Sequence, residues 1–340
     1  MKRVSKLLCL CTIPLFISNM TGEASADAHP VNRAINGRPE LSFSVVSDVH
    51  LRAGKNDRGH PYHDYVAETK LVAALQDLHR INANADAFVI DGDLTVTGMQ
   101  TDYDSLKNVL QKSPHPKNTL FAIGNHEFHS AFRNKRGLFS MKTFPNGVTK
   151  KQCIDLFLKN TGMPGVYYDK WIKGYHFIVL GSEPSGTINI HTYDRAALSL
   201  RQLQWLDERL RFSPSNKPVF VFLHQPIAHT VAGSSQNYIV HSDKLRQVLN
   251  KYPQVIFFSG HSHWTLKNQP RTMYRDKFTM FNVSSVRNPI TPHVKLAGDS
   301  EGLYVQVYSH KVVVMARDFT HKSWIGQYTV TNSTPHPAQH

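Results

Sequence analysis

The chain has 340 residues, 41% of them hydrophobic and 19% charged, a balance that supports one large core or two modest ones and excludes a disordered polymer. Its formal charge of +14 favours anionic surroundings, but no dense lysine or arginine block marks a nucleic-acid groove, so nucleic acid is not an expected partner. Three cysteines are too few for a disulfide-stapled scaffold.

The first residues are basic from Met1 to Lys6, apolar from Leu7 to Ile17, and small at Ala24-Ser-Ala26. This is the pattern of a cleavable signal peptide over residues 1–26. The apolar run holds Pro14 and is shorter than the ~20 residues of a bilayer span. The expectation is a secreted protein, extracellular or wall-associated, with no transmembrane anchor in the mature chain. Cleavage removes Cys9 and Cys11, leaving Cys153 without an intrachain partner. It also takes the charge from +14 to +12, because Lys2, Arg3 and Lys6 leave together with Glu23. Residues 27–40 read as a lead-in.

In chain order, the run Leu41 to Ser47 is apolar and β-branched and breaks at Asp48. A helical pattern follows from Tyr65 to Ile81, with Leu71, Leu75 and Leu78 on one face. Ala87 to Ile90 reads as a strand ending at Asp91-Gly-Asp93, and Thr119 to Ile123 as one ending at Gly124-Asn-His126. Leu200, Leu203, Leu206 and Leu210 repeat at helical spacing after Ser199, a plausible N-cap. Pro218 to Leu223 ends at His224, and Val255 to Phe258 runs into Gly260-His-Ser-His-Trp264.

Strands alternating with helices imply βαβ units, in which sites form beyond the carboxyl ends of the strands. That rule gathers the five polar clusters on one rim. Further on, Phe278 to Ser284, Leu303 to Ser309 and Val312 to Phe319 look like sequential strands, which suggests antiparallel pairing in the second half. No repeat or composition break marks a second domain, so residues 41–328 read as a single domain and residues 329–340 as a polar tail.

The five clusters are Asp48-Val-His50, Gly92-Asp93, Gly124-Asn-His126, His224 and Gly260-His-Ser-His263. Each has an ordinary reading: Asp48 and Asp93 as helix caps, Asn125 as a turn residue, His224 as a core histidine. Their coincidence at five strand ends points instead to a metal site. Carboxylate, amide oxygen and imidazole suit Mn, Fe or Zn, and no thiolate is present.

The ordered set DxH, GD, GNH, H, GHxH resembles the calcineurin-like metallophosphoesterases over Leu41 to about Phe319. The resemblance implies a four-layer α/β/β/α sandwich of two mixed sheets with a dinuclear metal site at one edge. It implies two divalent ions, one held by Asp48, His50, Asp93 and His263 and the other by Asp93, Asn125, His224 and His261. It further implies that a water shared by the ions is the nucleophile in phosphoester hydrolysis and that His126 is the general acid. Asp91 is a candidate to orient a ligand histidine.

Among the branches of that family, protein Ser/Thr phosphatases carry Asp and Arg where this chain has Val96 and Thr97, and Arg where Ile123 stands. Purple acid phosphatases place a tyrosine at the position of Val96 and lack a histidine at that of His50. Secreted 5′-nucleotidases append a large substrate domain, which the stretch after Phe319 does not supply. Gly92-Asp-Leu-Thr95 followed by Gly98 is most similar to class III cyclic-nucleotide phosphodiesterases and related bacterial phosphohydrolases.

The expectation is therefore a phosphodiesterase acting on a small-molecule or polymeric phosphoester, with an anionic wall polymer among its expected partners. A phosphomonoesterase and a non-catalytic protein with a structural metal site are the alternatives. Tyr62, His63, Phe128, His129 and His229 lie near the motifs in sequence and are candidates for the walls of the site or for packing.

Overall fold

Alternation along the strand Leu41–Val46 sets the layering: Leu41, Phe43 and Val45 face a core between two sheets, whereas Val46 faces a core beneath helices. The computed structural model describes residues 37–56, 58–183, 188–189, 191, 193–236 and 238–331. The signal peptide expected over residues 1–26, most of the lead-in and residues 332–340 of the expected tail lie outside the described residues.

From edge to edge the first six-stranded sheet runs Ser323–Thr331, Lys311–Asp318, Glu301–Val307, Leu41–Val46, Ala87–Asp91 and Thr119–Ala122. The last three are parallel, and the others pair antiparallel. The second runs Met273–Arg275, Thr279–Asn282, Val255–Ser259, Val219–Phe222, Tyr175–Val179 and Tyr168–Ile172. Its four central strands are parallel, and both edges are antiparallel.

Between the sheets lies a phenylalanine-rich core, in which Phe43 meets the rings of Phe177 and Phe220 edge-on with centroids 5.0 and 4.7 Å away. Such ring pairs are worth about 0.5–1.5 kcal/mol each beyond their buried area. On the outer face of the first sheet, helices Tyr65–Ile81, Gln100–Lys112 and Lys150–Thr161 bury Leu71, Leu75, Tyr103, Leu106 and Phe157 against Phe88, Ile90 and Phe121. Leu200–Arg211 and Ser242–Leu249 cover the second sheet through Leu203, Leu206, Leu210, Leu245 and Leu249. The result is the expected α/β/β/α sandwich of two mixed sheets. Ser199 caps its helix as expected, its side chain accepting from the Gln202 N–H.

Two expectations change. Thr279–Asn282 does not pair with the strand that follows it; it lies parallel to Val255–Ser259 in the second sheet. The long segment from Val283 to Ser300 crosses between the sheets past the rim, where Val286 and Arg287 donate backbone N–H bonds to the carbonyls of Ser47 and Asp48. The edge strand continues to Thr331, past the boundary expected at residue 328, with Tyr328 and Val330 buried. Antiparallel pairing holds for Glu301–Val307 with Lys311–Asp318.

Candidate metal centre

The parallel strands of both sheets end on one rim, and there the structure brings together all seven expected ligand residues and His126. On one side His263 Nε2 lies 2.9 Å from Asp48 Oδ1, and His50 Nε2 lies 3.0 Å from His263 Nε2 and 3.7 Å from Asp93 Oδ2. On the other, His224 Nε2 is 3.2 Å from Asp93 Oδ2, and His261 Nδ1 is 2.9 Å from Asn125 Oδ1. Asp48, His50, Asp93 and His263 form one potential cation group and Asp93, His224 and His261 a second, with Asp93 common to both.

Backbone groups fix which atoms face inward. Asp48 Oδ2 accepts from the His261 N–H at 2.9 Å, and Asp93 Oδ1 accepts from the His126 N–H at 2.9 Å. The other carboxylate oxygen of each therefore turns to the cluster. His224 Nδ1 donates to the Asp91 carbonyl at 2.7 Å and His263 Nδ1 to that of Asn288 at 3.0 Å. A ring nitrogen facing a carbonyl must carry the proton, so Nε2 of each neutral ring presents its lone pair inward. Asp48 Oδ1 and His224 Nε2 are buried without a hydrogen-bond partner. Convergent, hydrogen-poor oxygen and nitrogen atoms of this kind fit divalent cations.

Electrostatics agree with the geometry. Burial pushes the Asp48 carboxyl up, but the imidazoles of His263 and His224 outweigh it and hold the group well below the usual carboxylate range. Asp93 behaves likewise under His224 and His126. Burial lowers His224, yet Asp93 and Asp48 lift it to about 10, so at neutral pH Nε2 takes a proton that a cation bound there would displace. Burial, with His126 nearby, pushes His50 down to about 4.

The backbone that carries the expected ligands is strained. Asp48, His50, Asp93, His261 and His263 have φ of 54°, 48°, 49°, 64° and 55°, a left-handed region that costs roughly 1 kcal/mol or more for each residue with a side chain. The neighbouring glycines leave the room this needs. Gly92 itself has φ 85°, and a Cβ on it would lie 2.5 Å from His224 Cγ. A Cβ on Gly260 would lie 2.6 Å from Asp48 Oδ2.

Asp91 holds a histidine of the cluster, as expected, but through its main chain. Its backbone carbonyl, not its carboxylate, orients His224, and both carboxylate oxygens are buried without partners. Burial lifts that carboxyl to about 8. Of the candidate wall residues, Phe128 belongs to the core, and His63 pairs with Glu68 at 2.8 Å. Tyr62 is exposed beneath the Arg52 guanidinium. His129 lies against His126 with its ring tilted by 42° and centroids 3.9 Å apart, and the rings of Phe132 and Tyr193 also pack against it. For His229 the structure shows a strained φ of 59° and a backbone N–H bond to Ser234.

Sequence reasoning missed Glu127, Asp194, Tyr238 and Asn288. Glu127 ties two rim turns together by accepting from Thr95 N and Oγ1 and from Gly124 N. Its place directly after Gly124-Asn-His126 was the available signal. Tyr238 packs edge-on against His261 with centroids 4.4 Å apart, and Asn288 is recognisable only once the loop is folded.

The family model for calcineurin-like phosphoesterases matches residues 41–265, a span that contains every one of the expected ligand residues. The chain belongs to this family. Calcineurin-like phosphoesterases are dimetal hydrolases, and the cluster supplies the donors that two divalent ions require. A 3′,5′-cyclic-nucleotide phosphodiesterase of Nostoc is 24% identical over 241 residues, covering 71% of this chain and 78% of that protein. A probable cyclic nucleotide phosphodiesterase of Rhodopseudomonas palustris is 24% identical over 192 residues, covering 55% of this chain and 57% of that one.

Among solved structures, a dimetal phosphatase from Danio rerio superposes with a TM-score of 0.60 at 17% identity over 87% of this chain and all of that one. Purple acid phosphatase PPD1 from yellow lupin seeds gives 0.58 at 12% identity, covering 89% of this chain and 58% of that one. These likenesses establish that the calcineurin-like phosphoesterase fold is shared.

Proposed function

We propose that this calcineurin-like phosphoesterase is a phosphodiesterase in which Asp48, His50, Asp93 and His263 hold one divalent ion and Asp93, Asn125, His224 and His261 the other. When bound, the two ions supply Lewis acidity to a phosphoryl oxygen and lower the pKa of a water. The observation that carries the reading is the convergence of both groups on Asp93 with His126 beside them. His126 Nδ1 donates to the Val96 carbonyl at 2.9 Å, and Nε2 lies 3.9 Å from Asp93 Oδ2. With an Nδ1 proton committed to that carbonyl, general-acid action uses the imidazolium, whose Nε2 proton passes to the leaving alcohol oxygen and leaves the neutral Nδ1–H ring. His50, edge-on to His126 with centroids 4.4 Å apart, holds that ring over the cluster.

Preference for a diester rests on the positions where protein Ser/Thr phosphatases carry gripping arginines. Here Ile123 is buried, Val96 gives its carbonyl to His126, and the Thr97 hydroxyl donates to Asp102 at 2.6 Å. A doubly charged monoester gains no guanidinium at these positions, which favours the singly charged diester. The names of the two relatives, both cyclic-nucleotide phosphodiesterases, support the same substrate class.

The test is hydrolysis of bis(p-nitrophenyl) phosphate against p-nitrophenyl phosphate and 3′,5′-cyclic AMP, with Mn²⁺ or chelator and with Asp93→Ala as control. Chelator-sensitive diester cleavage lost in the variant supports the proposal. Monoester cleavage alone replaces it with a phosphomonoesterase, and no cleavage with metal bound leaves a structural site. Export belongs to the same reading and rests on the pattern of residues 1–26; a cell-associated chain that still begins at Met1 would overturn it.

A further inference from the structure

We infer that Asp194 is a positioning residue that sets occupancy of the cation position formed by Asn125, His224 and His261; the inference rests on the dimetal reading above. Asn125 offers a carbonyl oxygen at one end of its amide and an NH2 group at the other, and the two ends have nearly the same shape. Only the oxygen can bind a cation. Something must therefore turn that end inward.

Asp194 does so. Asn125 Nδ2 donates to Asp194 Oδ1 at 3.0 Å, and a carboxylate accepts hydrogen bonds but does not donate them, so the amide oxygen is excluded from that side. With the NH2 group held outward, Asn125 Oδ1 sits 2.9 Å from His261 Nδ1, inside the cluster. The anchor is itself tethered, because Gln225 Nε2 donates to the Asp194 carbonyl at 3.3 Å, and Gln225 directly follows the ligand His224. Asp194 precedes the short strand Ala196–Ala197, on a different stretch of chain from any ligand.

The contrast with the other ligands gives the inference its content. Asp48, Asp93, His224 and His263 are oriented by backbone groups, namely His261 N–H, His126 N–H and the carbonyls of Asp91 and Asn288. Those are retained under side-chain substitution. His224 Nδ1 also has Ser47 Oγ at 3.4 Å, but its shorter bond at 2.7 Å is to the Asp91 carbonyl. The Asn125 NH2 group is held outward by a side chain with no such backbone bond beside it, so loss of that side chain should weaken one cation position and spare the other.

The experiment titrates metal-free full-length protein with Mn²⁺, following bound and free ion by electron paramagnetic resonance. The wild type is expected to bind two ions. Asp194→Ala is expected to bind one with unchanged affinity and the second about 10–100-fold more weakly. Asp194→Asn, which keeps an acceptor oxygen without the charge and is nearly isosteric, is expected to retain both. In an Asn125→Ala background, Asp194→Ala should add nothing further, since a residue acting through Asn125 has no effect without it.

Two equally tight ions in Asp194→Ala would overturn the inference, as would equal weakening of both. So would an Asp194→Asn variant as weak as Asp194→Ala, which would make the effect one of charge rather than orientation. Fewer than two ions in the wild type would instead sink the dimetal reading beneath it.

Discussion

The Nδ1 atom of His126 lies 2.9 Å from the carbonyl oxygen of Val96, which keeps a proton on Nδ1 so that Nε2 is the ring atom that gains and gives up a second one. If Nε2 then delivers a proton in the rate-limiting step, His126→Ala should lower kcat by roughly 10²–10⁴-fold. Metal content should stay at the wild-type level, because the side chain belongs to neither cation group. Activated esters with good leaving groups should be affected less. An equal loss on all esters, accompanied by loss of metal, would assign the ring a structural role.

Gly260 lies where no side chain fits. A Cβ there would run into Ser47 Oγ and lie 2.6 Å from Asp48 Oδ2, so Gly260→Ala must displace a ligand carboxylate or shift the turn. We expect it to destabilise the fold by about 1–3 kcal/mol, as overpacking does. Metal analysis should show loss at the position that uses Asp48. Full metal content with an unchanged melting temperature would refute this.

The left-handed backbone at Asp48, His50, Asp93, His261 and His263 opposes folding, whereas cations bound only by the native state favour it. Mn²⁺ at 100 times its dissociation constant should therefore stabilise the protein by about 2.7 kcal/mol per site. The melting temperature should rise with Mn²⁺ and fall with chelator. Asp93→Ala, lacking the residue common to both groups, should show neither response.

Acid should loosen the segment behind His263. Burial pushes the Asp318 carboxyl up, but hydrogen bonds from Lys267 and His321 win and hold it below its ordinary value. Lys267 Nζ reaches Asp318 Oδ2 at 2.7 Å and Asp299 Oδ2 at 3.0 Å. A carboxyl depressed in the folded state contributes stability that is present above its unfolded pKa of about 3.9 and is lost as pH falls through the lower, folded value. Urea denaturation from pH 7 to pH 3 should show Asp318→Asn less stable than wild type at the upper end and the gap narrowing below about pH 4. A gap that stays constant would remove Asp318 from the account.

Much of the centre was legible because each ligand follows an apolar run. Leu41–Val46, Ala87–Asp91, Thr119–Ala122, Val219–Phe222 and Val255–Ser259 are buried parallel strands whose ends carry the ligands. A motif at a strand end can be placed without knowing what packs behind it. Asp194 and Asn288 follow no such run, and their roles arise from the crossing of loops that only the folded chain defines. The helix Lys150–Thr161 was missed although Thr149 and Gln152 form its capping box. Its apolar residues, Cys153, Ile154, Leu156, Phe157 and Leu158, are bunched in mid-helix rather than repeated over its turns, so helical periodicity does not mark it. The edge strand Ser323–Thr331 was read partly as tail because it is half polar, as suits a strand with one solvated face.

Each cation group draws residues from both sheets: Asp48, His50, Asp93 and Asn125 come from the first, and His224, His261 and His263 from the second. Since a ribosome delivers the chain from its amino end, the early strands emerge carrying only part of either donor set. The centre stays incomplete until the strand Val255–Ser259 and the turn after it have been synthesised and docked. A nascent chain therefore cannot complete both donor groups before His263 has emerged, and a fragment ending short of His263 would lack one donor of the first group however well its first sheet folded.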